Sequence, residues 1–145
     1  MITQPFGLAA PAAADPVSDS RRLYVSVNAH HAALMDVLAA KAAPKVTADL
    51  IKKYVYAPGN VVGSVWIDRA FSEGQERYRP FSACLDADSA LSDLSSRIIL
   101  SSGGTVDDLT IVSAAANLRQ ALTACEVAIE KADSGPQIGT RVLRD

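Results

Sequence analysis

Residues 111–129 read IVSAAANLRQALTACEVAI, and their spacing decides the fold. Ile111, Ala115, Leu118, Leu122, Cys125 and Ile129 advance in steps of 4, 3, 4, 3 and 4, the repeat of one buried helical face. Thr105 and Asp108 give a T-x-x-D start with Thr105 as N-cap. Ser134-Gly135-Pro136 supplies residues that end a helix. At about 1.5 Å per residue the spacing predicts a rod roughly 40 Å long. A second apolar-striped stretch, from Cys84 to a glycine turn at SSGG (101–104), precedes it. Residues 84–132 therefore predict a helical hairpin, and its length predicts an elongated bundle.

Charge on the hairpin is sparse. From Ser82 to Asp133 the basic residues are Arg97, Arg119 and Lys131, against eight acids. Arg97 has Asp93 one turn before it, which a surface i,i+4 pair explains. Arg119 has no acid one turn away on either side; Ala115, Ala116, Leu122 and Thr123 stand there. Two readings of Arg119 are open: a solvated cation, or a group that meets an anion from outside the chain.

The 145 residues are 49% hydrophobic, enough for one core and most simply one domain. We read 1–15 as an arm, 16–133 as the bundle and 134–145 as a tail. The net charge of −2 argues against a free-standing nucleic-acid binder. It leaves room for a subunit that touches few phosphates and binds through many copies. No apolar run approaches the ~20 residues that cross a bilayer, and no secretory leader is expected. Cys84 and Cys125 stand far apart beside apolar residues, which predicts two reduced core thiols in a reducing setting.

Working back to the start, the Ala/Pro-rich residues 1–15 lack periodicity and predict an arm that orders against a neighbour. Leu23, Val27, His30, Leu34 and Leu38 are the inward stripe of a first helix over about 20–42. His30 and His31 diverge by about 100° on it, so packing rather than metal binding explains them. A second helix starts at Lys45–Thr47, with Val46, Leu50, Ile51 and Tyr54 inward, and stops before Pro58-Gly59. Lys45 lies in its first turn, where the helix dipole disfavours a cation unless an anion binds there. Residues 61–67 (VVGSVWI) and 78–81 read as short strands of a minor sheet. Six of the eight aromatics fall between Tyr54 and Phe81, which predicts an aromatic knot at one end of the bundle. That knot is a local mini-core, a sticky end for side-by-side association, or both. No catalytic, cofactor or metal motif stands out, so an enzyme is not expected.

Taken in order, these features resemble the coat proteins of rod-shaped plant RNA viruses, the tobamovirus type and its beny- and furo-like relatives. The likeness rests on Asp15-Pro16, PGNVVGSVWI (58–67), YRPFSACLD (78–86), SRII (96–99), VDDLTI (106–111) and LTIVSAAANLRQAL (109–122). It spans about 15–132 and depends on order rather than on one diagnostic motif. The resemblance implies an all-α antiparallel four-helix bundle with a minor β-sheet at one end. It also implies side-by-side stacking into a helical rod, with single-stranded genomic RNA at the narrow end and the virion and host cytoplasm as setting. Arg97 then corresponds to a phosphate-binding arginine, Lys45 falls near a second basic contact, and Asp107-Asp108 corresponds to an acidic pair on ribose. Ala116-Asn117 is a competing alignment for that pair. The cation two residues before Arg97 is replaced by Ser95, and Arg119 is a candidate to compensate. Opposed carboxylates across subunit contacts are implied as a disassembly switch, with Asp86, Asp88, Asp107 and Asp108 as candidates. Asp108 equally fits a capping box. The rival reading is a cellular four-helix interaction module without nucleic acid.

Overall fold

The computed structural model describes the backbone of residues 15–101 and 108–144, and side chains over 15–101 and 109–134. Most of the expected arm (1–14), Thr105 and Asp107 lie outside the described residues. Four helical rods run up and down. The first is α1 (Pro16–Ala39). The second joins α2 (Pro44–Ile51), a π-helical turn (Lys52–Tyr56) and α3 (Ala57–Glu73). A corner of short α4 (Gln75–Tyr78) and a 3₁₀ turn (Arg79–Phe81) leads to α5 (Ser82–Ser101). The last rod is α6 (Asp108–Arg144). The α1–α2 corner and the α5–α6 connection share one end of the bundle, and the α3–α5 corner lies at the other. Helices α1 and α5 pack centrally, with α3 and α6 on opposite flanks.

Helix α1 begins where Asp15-Pro16 places it. The Asp15 carboxylate accepts the Val17 N–H at 3.0 Å and the Ser18 hydroxyl at 2.9 Å. Pro16 sits at the first helical position, where its missing N–H costs nothing. The Ser18 hydroxyl is the largest influence holding the Asp15 carboxyl below its usual range. Leu23, Val27 and Leu34 are buried as their spacing predicts, and His30 is half-buried. On α6, Leu118, Cys125 and Ile129 are buried, with Ile111, Ala115 and Leu122 packed against the core. Each fully buried leucine contributes about 1.5–3 kcal/mol.

Several expectations are corrected. First, residues 61–67 are helical, and among the described residues there is no strand, so the minor sheet is absent. The buried positions of α3 are Gly59, Gly63, Trp66 and Ala70, a helical period written mostly in small residues. Val61 and Val65, which suggested a strand, face outward. Pro58 does not stop the rod either. The π turn before it sends the Ala57 N–H to the Lys52 carbonyl, and this wider turn accommodates the proline ring. Ile51 is buried as expected, but Val46 and Tyr54 are exposed, and Ala48 and Val55 face the core in their place. Second, α6 continues past Ser134-Gly135-Pro136 to Arg144. Third, Cys84 and Cys125 form a disulfide rather than two thiols. Both are fully buried on the α5–α6 seam with Cα atoms 4.6 Å apart, within bridging range. With its cysteines 41 residues apart in sequence, the bridge is worth on the order of 4 kcal/mol in the loop-entropy account. The argument from free thiols to a reducing setting loses its premise.

The aromatic end is fastened by a polar latch that sequence reading missed. Asp19, only 4% exposed, accepts the Tyr78 hydroxyl at 2.6 Å and lies 3.4 Å from Arg69 and 3.5 Å from Arg22. Its neighbour Ser20 accepts the Trp66 indole N–H at 2.9 Å. The Trp66 and Tyr78 rings meet edge to face, 5.2 Å between centroids. Burial and the Asp19 carboxylate push the Tyr78 phenol well above its ordinary value. These bonds tie the start of α1 to α3 and to the corner that turns into α5.

Candidate nucleic-acid interface

Between α5 and α6, toward the connection end, a cleft of about 300 Å³ opens. Its polar wall comes from Asp93, Arg97, Thr110, Ser113 and Asn117. Residues 110, 113 and 117 recur at i, i+3 and i+7, so helix geometry alone brings their side chains into one stripe. Arg97 projects from the last turn but one of α5, where Asp93 accepts its Nε–H at 2.9 Å. Both side chains are close to half-exposed, and an exposed i,i+4 pair of this kind is worth about 0.3–0.5 kcal/mol. Separating this pair therefore costs little.

The expected site residues divide into groups. Arg97 and Asn117 share the cleft. Lys45 is exposed in the first turn of α2, at the same end of the bundle. That turn has no side-chain cap and no acid, so its N–H groups and Lys45 present positive potential together. Asp108 opens α6 at this end, and its side chain, like the whole of Asp107, lies outside the described residues. Arg119 is exposed but elsewhere: Asn117 and Arg119 sit about 100° to either side of buried Leu118. Arg119 faces α1, where desolvation first and its positive charge second depress the His31 pKa. Ser95 is fully buried and its hydroxyl finds no partner, so that position faces the core rather than the cleft.

Asp86 is exposed on α5. Asp88 is half-buried within the subunit: a Cβ at Gly63 would collide with its carboxylate, so the glycine leaves the space it occupies. Desolvation raises the Asp88 pKa, and the nearby His30 partly offsets the rise. His30 Nδ1 is 3.2 Å from the Ser26 hydroxyl, an ordinary packed histidine contact. Among the described residues no cluster of His, Cys, Asp and Glu could hold a metal ion, and no helix is long and apolar enough to cross a membrane.

No family model, curated protein or solved structure matches this chain. These comparisons add no support to the resemblance expected from the sequence. Thr110 and Ser113 were missed in sequence reading, although their spacing from Asn117 made a polar stripe visible on a helix otherwise rich in alanine and leucine.

Proposed function

We propose that the chain is the subunit of a helical capsid that binds single-stranded RNA through the sugar-phosphate backbone at the connection end of the bundle. The supporting observation is the α5–α6 cleft, where a weakly held guanidinium faces hydroxyl and amide side chains at the same end as Lys45. Arg97 takes a phosphate, displacing Asp93, while Ser113 and Asn117 offer hydrogen bonds to phosphate or ribose oxygens. Lys45 neutralises a second phosphate. Two cations per copy suit a chain of net charge −2, because affinity accumulates along a polymer of subunits. Arg119, on the other flank of α6, plays no part in this cleft.

The rival reading, a four-helix interaction module without nucleic acid, draws on one observation: Arg97 already has a carboxylate partner. Binding of a labelled, unstructured RNA over a salt series separates the two. The capsid reading expects binding that weakens with salt, and Arg97→Ala should reduce the log–log salt slope by about 0.7 per subunit bound. Binding to neither chain, or identical slopes for both, contradicts it.

A further inference from the structure

The first half of the second rod concentrates positive charge. Residues 41–56 hold four of the chain's five lysines, Lys41, Lys45, Lys52 and Lys53, and Asp49 is the only acid between Asp36 and Asp68. All four lysines are exposed. None has an ion-pair partner among the described residues, although Asp49 lies one helical turn from both Lys45 and Lys53. Lys45 and Lys52 recur at i, i+7, as do Val46 and Lys53, so the four form two neighbouring stripes on the side away from buried Ala48, Ile51 and Val55. Aromatic surface stands beside the charge. Tyr54 is 49% exposed, and the Lys53 Nζ lies 5.2 Å from its ring centroid. The π-helical turn carries Lys52, Lys53 and Tyr54 as one exposed run before Val55 turns inward.

We infer that this face is a second contact for single-stranded RNA, in which Lys45, Lys52 and Lys53 take phosphates and the Tyr54 ring carries a base. The charge calls for a polyanion: three ammonium groups without ion pairs share one face of a chain whose net charge is −2. At about 1.5 Å per residue they spread over roughly 12 Å of the rod, so the contact runs along a strand rather than gripping one phosphate. The tyrosine narrows the polyanion to a single strand. An exposed ring beside an ammonium group offers a flat face to an unpaired base and a charge to the phosphate next to it. Every base has such a face, so the contact reads no sequence, as the cleft reads none. This contact rests on the reading of the chain as an RNA-binding subunit and adds Lys52, Lys53 and Tyr54 to the residues that hold the strand.

Binding of a labelled, unstructured RNA to the full chain and its variants tests it. Lys52→Ala combined with Lys53→Ala should lower the log–log salt slope by about 1.4 per subunit bound. Tyr54→Leu should weaken binding on the order of tenfold at fixed salt and leave the slope unchanged, and Tyr54→Trp should bind like the unmodified chain. All three positions are exposed, so each variant should keep the unmodified melting temperature, which a thermal scan checks. An unmodified slope in the double lysine variant overturns the contact, as does full affinity in Tyr54→Leu or a tryptophan that binds no better than leucine. Phosphatidylserine vesicles held through Lys52 and Lys53, with RNA binding indifferent to both, would assign the face to a lipid surface and overturn it equally. Arg97→Ala separates the two contacts. A slope that falls there but not in the double lysine variant refutes this face and leaves the cleft reading intact; the reverse result supports this face and refutes the cleft. No RNA binding by the unmodified chain refutes both.

Discussion

Asp19 and Tyr78 show how much a single buried pair can carry. Their 2.6 Å hydrogen bond connects the first turn of α1 to the corner before α5. Tyr78→Phe keeps the ring and removes the donor, leaving a buried carboxylate short of a partner. A loss of about 1–3 kcal/mol in urea unfolding is expected; an unchanged midpoint would mean Arg69 and Arg22 suffice. Asp88 works in the opposite sense. Its pKa is raised in the folded chain, chiefly by desolvation, so the folded state binds its proton more tightly than the unfolded state. Its contribution therefore declines as pH rises from the unfolded pKa through the folded one. Asp88→Asn removes that decline. The variant should melt higher than the unmodified chain near neutral pH, with the gap closing as pH falls below the unfolded carboxyl value. A gap of constant size would contradict the assignment. Neither residue was legible as buried in the sequence. An acid in a first helical turn, or one among several on α5, reads as solvated until tertiary neighbours cover it. Arg97, whose partner stands one turn away, was legible because helix geometry fixes that neighbour.

For an element, legibility depends on what its buried face is made of. Helix α6 writes its core face in Leu, Cys and Ile, and its period could be read directly. Helix α3 writes its own in Gly59, Gly63 and Ala70 around Trp66, so its bulkiest aliphatic residues lie outside and imitate a strand. Smallness there serves approach, since Gly63 faces the Asp88 carboxylate on α5. This yields a sign reversal. Gly63→Ala alone should destabilise, because its methyl group collides with Asp88. In an Asp88→Ala background the same change should be neutral or stabilise by up to about 1 kcal/mol, the helix preference of alanine over glycine. Equal effects in both backgrounds, measured by a double-mutant cycle, would show that the two positions do not meet. The disulfide was illegible for a related reason. Separation along the chain says nothing about two cysteines facing each other across a seam until the register of α5 against α6 is known.

Across the whole molecule, the order of four helical rods was readable from the sequence, and so was the separation of a sparse basic end from an aromatic end. That separation gives the functional account its shape. The connection end holds Arg97, Asn117 and Lys45, beside exposed Met35, Val46, Leu100, Leu109 and Val112. The far end holds the Trp66–Tyr78 pair, the Asp19 latch and two unlike apolar grooves. What could not be read was which faces remain free, because an exposed Phe71 and a buried Phe81 look alike as letters. The central claim is that many copies together hold one RNA strand at the connection end. Negative-stain imaging of the purified full chain mixed with single-stranded RNA, over a range of salt and pH, tests it most directly. Rods or stacked rings whose length follows that of the RNA are expected; dispersed single particles under every condition would contradict the account.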